Sequence, residues 1–215
     1  MIKETTSIII AALVFTFCLV FNSVLNGSFT SYFLLIAFLV SLAVLLLNIL
    51  AKKVAARIFD VSIEHKILEW KRYGLYERSF FKVPIPIGVV IPFFMTIISM
   101  GYLIVPLFLQ YEVTPLLSRI KKSIGLYRFS EVTESHIGQI AVVGIVTTLA
   151  LGFIAYIIGG DALLLFAKVS IFYAFWNALP LGQTDGTKIF FGGVVTWSIV
   201  AILSILALVF AIAII

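Results

Sequence analysis

Long apolar runs separated by short polar connections dominate the pattern of this chain. A helix needs about 20 residues to cross the roughly 30 Å hydrocarbon core of a bilayer. The runs that have this length or nearly so are 7–26, 31–50, 137–158, 162–180 and 189–214. The pattern therefore predicts an all-α integral membrane protein with five full spans, forming a single membrane domain over residues 1–215.

A further apolar segment, residues 84–112, contains many helix breakers. These are Pro84, Pro86, Gly88, Pro92, Gly101 and Pro106. If the segment crosses the bilayer, the basic residues outside the spans are divided between the two faces, whereas a segment that returns leaves them all on one face. The positive-inside rule favours the second arrangement. We therefore expect a re-entrant or broken segment, a cytoplasmic N-terminus and an external C-terminus, with residues 48–52 and Asp185 on the same side.

Composition agrees with this assignment and excludes a soluble domain. The chain is 62% hydrophobic and 12% charged, with a mean hydropathy of +1.20. The net charge of +5 comes from basic residues that flank the spans, where lipid headgroups and topology account for them. No basic, aromatic-rich surface for nucleic acid is present in the pattern. The single cysteine, Cys18, excludes a disulfide framework.

A polar stretch, FWNALPLGQTDG, interrupts the last third of the apolar pattern. It places Asn177, Pro180 and Asp185 in the spacing Asn-x-x-Pro-x-x-x-x-Asp-Gly. This motif resembles the C-terminal motif of the site-2 protease family, the intramembrane zinc metalloproteases. In that family the aspartate completes a zinc site whose other ligands are the two histidines of an H-E-x-x-H helix.

Two upstream segments extend the resemblance to roughly residues 45–193. Residues 137–153 are similar to the middle core helix of the family, with Gly144 matching its Gly-Pro-x-x-Asn motif and Ile145 and Thr148 replacing the proline and asparagine. Residues 51–65 are similar to the segment that follows H-E-x-x-H, which aligns that motif with NILAK at 48–52. The resemblance implies a site-2-protease-like helical core at 31–193. An additional N-terminal span then occupies 1–30 and a C-terminal span 194–215.

The aligned motif lacks the residues that zinc hydrolysis needs. Asn48 and Lys52 occupy the two histidine positions, and Ile49 occupies the glutamate position. A lysine ammonium repels a dication, and isoleucine cannot act as a general base. The resemblance therefore implies a vestigial site formed by Asn48, Ile49, Lys52, Asn177 and Asp185, with no catalytic residue, metal or cofactor.

The remaining carboxylate of Asp185 needs a partner, because a charge near hydrocarbon costs several kcal/mol. One interpretation is an ion pair with Lys52, to which Asn48 or Asn177 adds hydrogen bonds. The other is that Asp185 caps the N-terminus of the final helix. The two interpretations are compatible.

His65 and His136 are the two histidines of the chain. Together with Asp185 they are the fallback ligands of a relocated zinc site, and His65 and Glu69 would share one face of a helix. The alternative is that both histidines are solvated at membrane boundaries, since charged residues surround them.

Residues 60–83 form the longest polar stretch with strand and turn signals. They predict a short β-hairpin at the membrane surface, turned by Gly74, or alternatively a basic amphipathic surface helix. In the resembled family a hairpin in this region receives extended substrate by edge pairing.

The sequence thus predicts a non-catalytic, site-2-protease-like binding scaffold or accessory subunit of a membrane protein assembly. Its expected partners are other integral membrane proteins or a transmembrane segment, together with the lipid bilayer, in a prokaryotic plasma membrane. The alternative function is an active intramembrane metalloprotease with a rearranged zinc site and zinc as its cofactor. A transporter or channel is disfavoured, because the spans show no inverted repeat and scarcely any intramembrane charge.

Overall fold

The computed structural model of the chain describes residues 4–72, 80–116 and 132–213. Within these ranges the helices are α1 Glu4–Leu25, α2 Ser31–Ile58, α3 Ile87–Ile98, α4 Glu134–Ile158, α5 Asp161–Ala178, α6 Asp185–Gly192 and α7 Val194–Ala213. The strands are β1 Val61–Ile67, β2 Trp70–Arg72, β3 Phe80–Ile85 and β4 Leu109–Pro115. Helices predominate, and each sheet in these ranges has two strands.

Within the described residues, five helices, α1, α2, α4, α5 and α7, are long and apolar enough to cross a membrane, and their number agrees with the five predicted spans. Two predicted boundaries were wrong. The second span was expected to end at residue 50, but α2 continues to Ile58. The alanines and lysines that follow residue 50 are good helix formers, although the lysines make this part of the helix polar. The run 189–214 is divided between α6 and α7, which meet at Gly193.

The segment 84–112 is broken, and the chain that follows β1 returns through it to the sheet of β1 and β4. Strands β1 and β4 pair antiparallel from Val61↔Pro115 to Ile67↔Leu109, so both ends of the intervening chain lie at one place. Between them, α3 runs beside α1 in the same direction, with Cys18 Sγ 3.7 Å from the Pro92 carbonyl oxygen. The chain reaches the last turns of α1, where Asn22 Nδ2 donates to the Met100 carbonyl oxygen, and then returns without helical structure.

The strand pairing in this region differs from the predicted hairpin at 60–83. The first strand of that stretch, β1, pairs with the distant β4 instead, because its alternate residues are buried against α1 and α2. Strands β2 and β3 do pair antiparallel. Gly74, the predicted turn residue, lies outside the described residues.

The two largest clusters of buried apolar side chains in the described residues form most of the core. One joins α1, α2 and α5 around Phe108, whose ring centroid lies 4.9 Å from that of Phe15. The other joins the end of α2, β1, α4 and α5. The second cluster surrounds the polar residues at the end of α2, and these residues form the candidate site.

Candidate functional site

Lys52 and Asp185 form a buried ion pair at the centre of the site. Lys52 Nζ lies 2.5 Å from Asp185 Oδ2, and the two side chains are 4% and 1% exposed. Lys52 lies near the end of α2 and Asp185 is the first residue of α6. The two ends therefore lie on the same side of the bundle, as the re-entrant arrangement requires.

Two glycines allow the helices to approach this closely. A Cβ atom at Gly144 of α4 would lie 2.5 Å from Lys52 Cε, so a larger residue there would force the lysine side chain to shift. A Cβ atom at Gly186 would lie 2.2 Å from the Ala178 carbonyl oxygen, where the first turn of α6 packs on the end of α5. The close packing of the site thus depends on these two glycines as well as on charges.

Asn48 lies one helical turn before Lys52 and is equally buried. Its Nδ2 donates to Thr148 Oγ1 at 3.1 Å, and that hydroxyl donates to the Gly144 carbonyl oxygen at 2.8 Å. Ile49, the third residue of the aligned motif, packs in the apolar cluster of α1, α2 and α5. The structure therefore brings α2, α4 and α6 together at the three sequence segments that carry the family resemblance.

Asn177 does not reach the ion pair. Its Nδ2 donates to the carbonyl oxygens of Pro106 and Tyr173, at 3.3 and 2.8 Å, and so it anchors the returning chain before β4. Apart from the contact of Oδ2 with Lys52, the carboxylate of Asp185 has no hydrogen-bond partner among the described residues. Within the described residues, Asp185 therefore lacks the predicted hydrogen bonds from Asn48 or Asn177, and its carboxylate does not cap the helix. The N-cap residue of α6 is Thr184.

Lys188 and Tyr111 complete the site, and sequence reasoning missed both. Lys188 Nζ lies 3.2 Å from the centroid of the Tyr111 ring and donates to the Tyr111 carbonyl oxygen. Burial lowers the pKa of Lys188 to about 7, although the negative charge of Asp185 acts in the opposite direction. Burial also raises the pKa of Tyr111. The position of Lys188, one helical turn after Asp185, was the available signal.

His65 is buried beside this site, so the interpretation of His65 as a solvated residue was wrong. It is 1% exposed and lies in a strand, which also excludes the predicted helical face shared with Glu69. Its Nδ1 lies 3.2 Å from Glu4 Oε1. Burial, followed by the positive charge of Lys52, lowers the pKa of His65 to about 3, so its ring is neutral and donates to the carboxylate.

The residues present do not fit the zinc ion that an active site-2 protease would hold. The ammonium of Lys52 lies against the carboxylate that would bind the metal. His136 is at the start of α4, where its Nδ1 lies 2.9 Å from Thr133 Oγ1 and its ring packs on Phe59, while His65 faces Glu4. Within residues 4–72, 80–116 and 132–213, no three metal-ligating side chains of His, Cys, Asp or Glu come together.

Charged side chains also cover both outer edges of the β1–β4 sheet at the level of the site. The pair His65↔Tyr111 lies between hydrogen-bonded pairs, so the backbone groups of these two residues face outward. The outward N–H of His65 donates to Glu4 Oε1 at 3.3 Å, and the outward carbonyl of Tyr111 accepts from Lys188. Residues of α1 and α6 thus occupy positions that an added strand would use.

No protein-family model matches this chain, and no curated protein or solved structure shows significant similarity to it. The arrangement of the site itself therefore has to support any functional assignment.

Proposed function

We propose that this protein is a non-catalytic relative of the site-2 proteases and serves as a binding scaffold or accessory subunit of a membrane protein assembly. The observation that carries the proposal is the contact of Lys52 Nζ with Asp185 Oδ2 at 2.5 Å. In a working enzyme of that family a zinc ion would balance the aspartate. Here the charge is balanced by an ammonium, which offers no coordination site for the metal-bound water that attacks the substrate in such enzymes.

A buried ion pair of this kind contributes to the packing of the fold and not to catalysis. Removing two charges from water costs several kcal/mol for each ion, and their attraction offsets this cost only when the partners stay together. The pair joins α2 to α6 and, through Asn48 and Thr148, α2 to α4. It therefore supports a rigid helical frame, which suits a protein that holds other chains.

The surface of α7 supports a partner within the membrane. Only 17% of the most apolar stretch of α7 is buried, against 33% or more for the other four spanning helices. Its exposed side chains include Ile199, Ile202, Leu206 and Val209. Because side chains of the protein cover the sheet edges at the site, we assign the partner contact to this apolar helix face and to a transmembrane segment of another protein.

Metal analysis of matched variants tests the loss of catalysis. The purified protein is expected to contain no stoichiometric zinc. The variant Asn48→His/Ile49→Glu/Lys52→His restores the family motif in the proposed register and is expected to bind about one zinc ion per chain, with the tetrahedral ligation typical of such sites. Adding Asp185→Ala should remove that zinc, whereas adding Thr114→Ala, in the exposed part of β4, should not.

Zinc that is present in the unaltered protein and lost in Asp185→Ala would overturn the proposal in favour of the metalloprotease. A folded triple variant without zinc would refute the alignment of residues 48–52 with the family motif.

The proposed partner contact has a separate test. Photo-crosslinking residues placed at Ile202 and Leu206 of α7 should capture the transmembrane segment of one recurrent partner in native membranes. The same residue at Leu46, on the exposed side of α2, is the control. Crosslinks to lipid alone at all three positions would remove α7 as the contact surface.

A cytoplasmic N-terminus and an external C-terminus remain part of this proposal. Single cysteines at either end of the Cys18→Ser protein, labelled in intact cells with an impermeant maleimide, would react at the C-terminal end only.

A further inference from the structure

Two lysine side chains lie near one carboxylate in the buried site. Lys52 Nζ lies 5.3 Å and Lys188 Nζ 3.2 Å from the centroid of the same Tyr111 ring, and Asp185 is the carboxylate of α6 that faces them. The contact at 2.5 Å assigns that carboxylate to Lys52. Lys188 has no ion pair with any residue in the described ranges and instead donates to the neutral carbonyl of Tyr111.

The charged and titratable groups around Lys188 come from four elements. Asp185 lies on α6 itself, Lys52 faces it from α2, Tyr111 and Glu112 lie on β4, and Glu134 lines the adjoining cavity from α4. Burial and the like charge of Lys52 both oppose a proton on Lys188, while the two nearest carboxylates favour one. Because burial dominates, the side chain is a neutral amine in a large part of the molecules at neutral pH.

Lys188 lines a cavity of about 240 Å³. The cavity lies between the first turns of α4 and α6, and its walls include Ile137, Gln183, Thr187 and Phe191. The wall is mainly apolar, which favours a small uncharged guest over an ion. A desolvated lysine beside another cation is an arrangement that activates an amine as a nucleophile.

We propose that Lys188 is a nucleophilic amine that forms a Schiff base with a small apolar aldehyde or ketone bound in this cavity. The nitrogen lone pair attacks the carbonyl carbon and forms the C–N bond. Proton transfers from the nitrogen to the oxygen then let the oxygen leave as water, which gives the imine without any oxidant or reductant. This activity is independent of the proposed scaffold function, since it requires neither a metal nor a partner protein.

Reductive trapping tests the proposal on the purified protein in detergent. The protein is treated with butanal and cyanoborohydride, which reduces an imine to a stable secondary amine, and the modified lysines are located by peptide mass spectrometry. Modification of Lys188 should rise with a midpoint near pH 7, in agreement with its lowered pKa. Lys66 is the internal control, because its hydrogen bond to Glu112 raises its pKa.

At neutral pH the neutral fraction of Lys188 should exceed that of Lys66 by at least about 10³-fold, given the ordinary lysine pKa of about 10.4. A modification rate at Lys188 no higher than at Lys66 would overturn the proposal. So would a midpoint for Lys188 in the range of ordinary lysines. This comparison uses the unaltered protein and does not depend on how any variant folds.

Matched variants separate the electrostatic cause from simple exposure. Lys52→Met removes the competing cation and frees Asp185 for Lys188. Modification at pH 7 should then fall at least about fivefold, which corresponds to a rise of one unit in a pKa that starts near 7. Lys66→Arg should leave the modification of Lys188 unchanged. An unchanged rate in a folded Lys52→Met protein would show that the charge of Lys52 does not activate Lys188.

Discussion

The ammonium nitrogen of Lys52 lies 2.5 Å from Oδ2 of Asp185, and both side chains are almost completely buried. Removing one partner of such a pair leaves a lone charge in the interior. Removing both partners together relieves that charge, so the two changes should not be additive.

Stability measurements on a double-mutant cycle should show this coupling. Lys52→Met and Asp185→Asn should each lower the free energy of unfolding in detergent by about 3 kcal/mol. The double variant should lose less than the sum of the two single losses. The exposed pair Lys66–Glu112 is the control and should show a coupling of about 1 kcal/mol or less. Additive losses for Lys52 and Asp185 would mean that the two charges do not stabilise each other.

The free energy of unfolding should also depend on the space that Gly144 leaves for the Lys52 side chain. Gly144→Ala places a methyl group 2.5 Å from Lys52 Cε and 2.8 Å from Lys52 Cγ, which should lower the free energy of unfolding by about 1–3 kcal/mol. Gly193→Ala is the matched control, since its nearest neighbouring atom lies at 3.5 Å. Shortening the lysine in the Lys52→Ala background should remove most of the cost of Gly144→Ala. A cost that persists there would place the clash elsewhere.

Acid should destabilise the protein through His65. Its pKa is lowered from 6.5 to about 3 in the folded state, because burial and the charge of Lys52 disfavour the imidazolium. Between these values the unfolded chain binds a proton that the folded chain does not. The free energy of unfolding should therefore fall as the pH decreases from 6.5 towards 3, by up to about 1.4 kcal/mol per pH unit from this group. Unfolding curves of His65→Gln should show a shallower slope over the same range, and equal slopes would contradict a buried neutral histidine.

Lys188 should change the free energy of unfolding at the alkaline end of the pH range. Its pKa is about 7 in the folded protein against 10.5 for an ordinary lysine, so the unfolded state again binds more protons between these values. Stability should rise as the pH increases from 7 to 10.5, by up to about 1.4 kcal/mol per unit from this residue. In Lys188→Met this contribution should be absent, while Lys53→Met, at the partly exposed contact with Glu4, should retain it. A Lys188→Met protein with the slope of the unaltered protein would refute the assignment.

The family motifs led to part of the site because each is short and local. The spacing around Asp185 and the alignment of residues 48–52 indicated that Lys52 and Asp185 would meet, and the structure brings them into contact. The same reasoning did not identify the hydrogen bonds that Glu4 and Lys188 make with the outward backbone groups of His65 and Tyr111. These contacts join residues that are far apart in the chain, and no periodicity or motif connects them.

The amino-acid sequence by itself determined the five spanning helices, because membrane insertion depends on the length of an apolar run, which is a local property. The distribution of basic residues also predicted a re-entrant or broken segment at 84–112, and the structure has the helix α3 followed by a non-helical return to β4. Only the tertiary structure decided that β1 pairs with β4 and that His65 is buried. Only the tertiary structure placed Lys188 beside Lys52 on one aromatic ring. The physical reason is that the burial of a side chain and the charges around it depend on which distant segments pack together. For His65 and Lys188, burial is the largest cause of the pKa shift.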